Sequence, residues 1–188
     1  GSISRHGSGT LKWAVDDPEL SLRDYCRLMM AISDNVATDA LIGLLGLEAI
    51  NATMQSLGYP NLHTGATLTR FHYAMAGMTN APGIPQNDQR MMERIQAYGI
   101  DRDCASFADD PANNLAAPGE MGRLLGRLCR GEIIDAEASV GMVEMLGLAA
   151  NRDMIPRYLD PGVDIAHKFG SSGRIKADVG IIYLPGGP

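Results

Sequence analysis

For most of its length the chain repeats apolar residues at intervals of three and four, the period of a helix with one buried face. Leu22, Tyr25, Cys26, Met29 and Met30 form the first such stripe. Ser21 with Asp24 three residues on forms a capping box that starts this helix, and the run ends near Ile32. Ser33, Asp34 and Asn35 interrupt it, and all three favour caps and turns. A second helix follows through Val36, Ala37, Ala40, Leu41, Leu44 and Leu45 and closes at Gly46. Leu47–Leu57 is a third, closed by Gly58. Residues 3–20, with Gly7-Ser8-Gly9 and Asp16-Asp17-Pro18, read as loop, and 59–86, interrupted by Pro82, Gly83 and Pro85, as loop with weak helix. Asn87–Tyr98 carries a turn or two of helix.

Residues 99–117 show no period and contain Asp101, Asp103, Asp109 and Asp110. A loop of that length in a compact domain asks for a functional reason. Pro118 then suits the first position of a helix that runs to Arg130 and stops at Gly131, with Met121, Leu124, Leu125 and Leu128 as its buried stripe. Asp135–Leu148 is a further helix and Arg152–Tyr158 a short one. After Pro161-Gly162 the period becomes two. Val163, Ile165, His167 and Phe169 alternate with Asp164, Ala166 and Lys168, as in a half-buried strand. Gly170–Ala177 is read as a turn, Asp178–Leu184 as a second strand, and Pro185-Gly186-Gly187-Pro188 as a further turn. The pattern predicts an α+β architecture: a helical portion over 20–160, then two antiparallel strands over 163–184. Two strands alone are marginal and expose an unpaired edge. The sheet is therefore expected to be incomplete within these residues, and to be finished by a further segment, a complementary fragment or a second copy.

Composition narrows the classes. The 188 residues are 45% hydrophobic and 20% charged, which is ordinary globular usage. The net charge of −6, without any Lys/Arg run, argues against a nucleic-acid surface. No apolar run reaches membrane-spanning length, and no signal-peptide pattern opens the sequence. Cys26, Cys104 and Cys129 have no zinc spacing, and Cys26 and Cys129 fall in apolar helical patterns as small buried hydrophobes. His6, His63 and His72 form no metal motif, so neither a metal nor a cofactor is expected. His167 is expected to pack or hydrogen-bond locally.

Two short motifs carry the candidate chemistry. Ser33-Asp34-Asn35 at a helix junction offers a hydroxyl that can relay a proton and an amide that can hold a carbonyl. His167-Lys168-Phe169-Gly170-Ser171 at a strand end offers a compact cation, a glycine that allows close approach, and a hydroxyl. Together with Asn114-Leu115-Ala116-Ala117-Pro118 opening a helix, and Asp178-Val179-Gly180-Ile181-Ile182-Tyr183, this order resembles the class A β-lactamase and penicillin-binding-protein superfamily, whose signatures are S-x-x-K, S-D-N and K-T-G.

The resemblance implies a serine hydrolase that acts through an acyl-enzyme on a small β-lactam, amide or ester, and a periplasmic or secreted location. Ser33 would shuttle the proton. Lys168 would bind the substrate carboxylate and hold Ser33. Asn35 would bind the substrate amide, Gly170 would keep the strand edge open, and Ser171 would bind the carboxylate and supply an oxyanion-hole N–H. It also implies a five-stranded antiparallel sheet, of which these residues hold the two middle strands. Three features depart from the pattern. No serine here has lysine three residues on, so the nucleophile is expected outside these residues; the family places it about 60 residues before S-D-N. Phe169 stands where the family has threonine. The family's loop glutamate has Asp101 or Asp103 as its candidate counterpart. The alternatives are a catalytically inactive binding or assembly module on the same scaffold, and an esterase or peptidase relative.

Overall fold

Side-chain caps set most helix boundaries in the computed structural model, which describes residues 5–16, 19–78 and 86–186. Ser21 and Asp24 form the expected reciprocal box at the start of α1 (Leu22–Ile32). Asp34 caps α2 (Asn35–Leu45), which turns at Gly46 directly into α3 (Leu47–Ser56). Thr67 caps α4 (Leu68–Met75), Asn87 caps α5 (Asp88–Tyr98) and Asp135 caps α7 (Ala136–Leu146). Pro118 opens α6 (Pro118–Cys129), where its missing N–H costs nothing.

The strands form two antiparallel ribbons. Leu62–His63 (β1) pairs with Leu115–Ala116 (β2), in register Leu62 with Ala116. Asp164–Ser172 (β3) pairs with Ile175–Tyr183 (β4), in register Lys168 with Val179 and Ser171 with Lys176. Mixed helix and antiparallel sheet is the α+β class that the pattern implies. The main core lies where α6 and α7 meet the β3–β4 ribbon: Leu125, Leu128, Ile133, Leu146 and Ala166 are buried, with Val179 and Ile181 packed on them. A second cluster, Tyr73, Ala76 and Met91, joins α4 to α5.

Several expectations change. Gly170–Ala177 is mostly strand, since the ladder continues to Ser172 and resumes at Ile175. The period of two was hidden there by Gly, Ser and Lys, which pair through the backbone without an apolar face. Region 59–86 contains a firm helix, α4, whose N-terminus is held by the buried carboxylate of Asp39 on α2. Asp39 accepts from the N–H groups of Leu68 (2.7 Å) and Thr69 (2.8 Å) and from the Thr69 hydroxyl (2.6 Å). Cys129 is exposed and Cys26 half-buried, and all three cysteines are free, so the expected burial does not hold. The turns expected at Asp17-Pro18, Pro82–Pro85 and Gly187-Pro188 lie outside the described residues. No single helix among the described residues is long and apolar enough to cross a membrane.

Candidate active site

The junction between α1 and α2 is built on a left-handed residue. Ser33, the C-cap of α1, sits at φ 55° and ψ 45°, where a side chain costs about 1 kcal/mol or more. That reversal lets Asp34 act at once as the N-cap of α2. Its carboxylate is fully buried and accepts three backbone N–H bonds: from Ala37 at 3.1 Å, Thr10 at 2.6 Å and Leu11 at 2.9 Å. The last two tie the segment Gly7–Leu11 across the junction. Gly7 and Gly9 are both in positive-φ conformations, and a side chain at either would collide with Asn35 or Asp34. Ser8, between them, donates its hydroxyl to the Ser33 carbonyl and lies 3.0 Å from Asn35 Oδ1. Gly7-Ser8-Gly9 is thus the floor of the junction, a role that the turn reading of these residues did not reach.

Strand β3 brings the second motif to the first. Lys168 Nζ donates to Ser33 Oγ at 2.9 Å, across 135 positions of sequence. It also donates to the Phe169 carbonyl. Burial holds the ammonium below the ordinary lysine range, and the charge of Asp178 pulls it partly back. Asp178 is itself buried. It meets His167 Nδ1 at 2.9 Å across the ladder and accepts from the Ile155 N–H at 3.0 Å, so His167 hydrogen-bonds locally as expected.

Ser33 and Asn35 open into a cleft of about 420 Å³, with Gly170 and Ser171 on its β3 side. The opposite wall comes from α4 and the long loop. Phe71 and His72 line it, and Phe71 stacks edge-to-face on Phe107 with centroids 5.7 Å apart. Asn113 and Asn114 pin that loop. Asn113 donates to the carbonyls of Ala105 (2.6 Å) and Ala108 (2.9 Å), and Asn114 accepts from Gly65 and Ala66, both at 3.0 Å. His72 packs against His6, and burial together with the neighbouring imidazole lowers His6 to about 4.

The structure therefore brings Ser33, Asn35, Lys168, Gly170 and Ser171 together. It does not bring Asp101 or Asp103 to them. Both are exposed: Asp101 accepts from the Asp103 N–H, Asp103 lies 3.3 Å from Arg174, and neither lines the cleft. No group of three metal-ligating side chains occurs among the described residues. Ser8, Asp39, Phe71 and His72 are the site residues that the sequence reading passed over. Only the paired glycines around Ser8 carried a local signal.

A serine and a lysine in hydrogen-bond contact at a helix junction, beside the two-stranded β3–β4 sheet, form the centre of this candidate site on an α+β scaffold. The chain belongs to the β-lactamase enzyme family, whose model it matches over residues 2–188. Among solved structures it is similar to a β-lactamase from Sphaerobacter thermophilus DSM 20745, with 28% identity, TM-score 0.68, and coverage of 97% of this chain and 57% of that one. PBP-A shares the fold at 22% identity and TM-score 0.66, covering 98% of this chain and 55% of that one. A class A β-lactamase from Bacteroides cellulosilyticus DSM 14838 does so at 21% and 0.65, covering 94% and 55%. No curated protein matches. The chain spans just over half the length of these solved relatives.

Proposed function

We propose that these residues form the proton-relay and substrate-binding half of a β-lactamase-like serine hydrolase, with the nucleophilic serine supplied outside them. The observation that carries this reading is the 2.9 Å contact between Lys168 Nζ and Ser33 Oγ at the edge of the cleft. In the reaction, the nucleophile's oxygen bonds to the carbonyl carbon of a β-lactam, amide or ester, and the bond to the leaving nitrogen or oxygen breaks. The proton released by the nucleophile passes through the Ser33 hydroxyl to the leaving atom. Lys168, a donor to Ser33 Oγ, leaves the Ser33 proton free to point away from it and into the cleft. Asn35, held from below by Ser8, presents an amide to the substrate, and Gly170 and Ser171 present the β3 edge. Ile182, Tyr183 and Leu184 are 41–66% exposed on and beyond β4, which supports further strands, from this polypeptide or another copy, covering the ribbon.

A second reading has its own support. Among the described residues no carboxylate lines the cleft, and Phe169 replaces a hydroxyl. Both favour a site that binds or acylates without rapid hydrolysis. The discriminating experiment is acylation of the native polypeptide carrying these residues, followed by intact mass for wild type and Ser33→Ala. The proposal expects an adduct whose formation slows by roughly 100-fold or more in the variant. An adduct formed at the same rate in both would remove Ser33 from the mechanism, and no adduct in either would favour the binding module.

A further inference from the structure

An ammonium has three N–H donors and no more. Lys168 directs one to Ser33 Oγ and one to the Phe169 carbonyl. The Phe169 ring lies against the same ammonium, with its centroid 4.5 Å from Nζ, within cation–π range. Neither Lys168 nor Phe169 lines the cleft. The side chains that do line it are hydroxyls, amides and apolar groups such as Leu68, Phe71 and Ile175, together with His72, whose imidazole burial shifts towards the neutral form. Lys176, paired with Ser171 across the ladder, is exposed and does not line it either.

We propose that Phe169 closes Lys168 to substrate anions, so that this site takes acyl donors without a carboxylate beside the scissile carbonyl: uncharged amides or esters with an apolar acyl group. This rests on the acyl-transfer reading above. Lys168 then serves Ser33 alone, and Phe169 is a positioning residue that sets specificity through it. A threonine at 169 would withdraw the ring and free the third donor for a carboxylate.

The test compares benzylpenicillin with its methyl ester, which differ only in that carboxylate, as acylating agents of the native polypeptide, with rates read by intact mass. The wild type is expected to react with the ester at least as fast as with the acid. Phe169→Thr and Phe169→Leu are expected to shift the acid-to-ester ratio about tenfold towards the acid, while Phe169→Tyr, which keeps the ring, leaves it unchanged. A wild type that prefers the acid overturns the proposal, whether or not Lys176→Ala abolishes that preference, and so does a ratio that ignores the ring. No adduct from either probe overturns the acyl-transfer reading and this inference with it. A second readout does not depend on reaction. The chain has three lysines, Lys12, Lys168 and Lys176, so each ε-carbon can be followed by NMR. Saturating acetate should leave Lys168 unmoved in the wild type and shift it in Phe169→Leu, with Lys176 shifting in both. A wild-type Lys168 signal that follows acetate contradicts the closure directly.

Discussion

Replacing Asp34 with alanine should do more damage than any other single truncation at the junction. Three backbone donors end on this one carboxylate: the N-terminal turn of α2 through Ala37, and the Gly7–Leu11 segment through Thr10 and Leu11. Loss of the cap costs about 1 kcal/mol. Each of the other two bonds, made to a charged acceptor, contributes about 1.5–3 kcal/mol while it stays dry. Once the segment lifts, its N–H groups regain water, which returns part of that. The net cost should be about 3–4 kcal/mol, or roughly 6–15 °C in Tm for a domain of this size. Asp34→Asn retains one acceptor oxygen and should lose about half as much. Calorimetry gives the total, and hydrogen exchange gives the location: protection should fall first at residues 5–16 and in the first turn of α2. If Asp34→Ala melts within about 2 °C of wild type with unchanged exchange at Thr10 and Leu11, the tether does not hold the junction and the argument fails.

Ser33→Gly should melt above Ser33→Ala by about 1 kcal/mol, because glycine relieves the left-handed backbone while both lose the Lys168 bond; equal Tm values would show that the backbone there is unstrained. Asp178→Ala leaves His167 Nδ1 and the Ile155 N–H without their acceptor, so denaturant titration should show a loss of about 3 kcal/mol, against little change if the pair were solvated. Gly65→Ala would bring its Cβ to 2.5 Å from the Asn113 carbonyl, so it should destabilise by about 2 kcal/mol and loosen the loop wall; a neutral result would mean that loop yields freely. His6 gives a pH signature. Its folded value, about 4, lies below the ordinary 6.5, so the unfolded chain takes up the proton first. The His6 contribution is complete above pH 6.5 and is lost as pH falls from there to about 4, by about 2 kcal/mol after solvent screening. His6→Phe should flatten that limb of the stability curve.

Helices with a clear start signal and one apolar stripe are legible from the sequence: α1, α2 and α7 start on the side-chain caps Ser21, Asp34 and Asp135, and α6 on Pro118 at its first position. What escaped depends on partners distant in sequence. Helix α4 needs Asp39 from another helix to satisfy its first N–H groups, and no local pattern announces that. The extension of β3 and β4 past Gly170 rests on backbone pairing between residues with no apolar alternation. Ser33, Asn35, Lys168, Gly170 and Ser171 were visible as motifs, but their meeting is a tertiary fact, as is the aromatic wall from Phe71 and Phe107. Asp101 and Asp103 matched the family's loop glutamate only by their place in the long loop before Pro118. The loop instead presents Asn113 and Asn114 towards the cleft, and Asp103 turns outward to Arg174.

The central claim is that Ser33 and Lys168 serve a nucleophile lying outside these 188 residues. Peptide mapping of the native polypeptide after exposure to an acylating β-lactam or its neutral ester tests it most directly. The account predicts one acyl group on a serine outside residues 1–188, followed three residues later by lysine, and a much slower modification of the same serine in Lys168→Ala. An acyl group on any residue within 1–188, or a modification rate indifferent to Lys168, would contradict it.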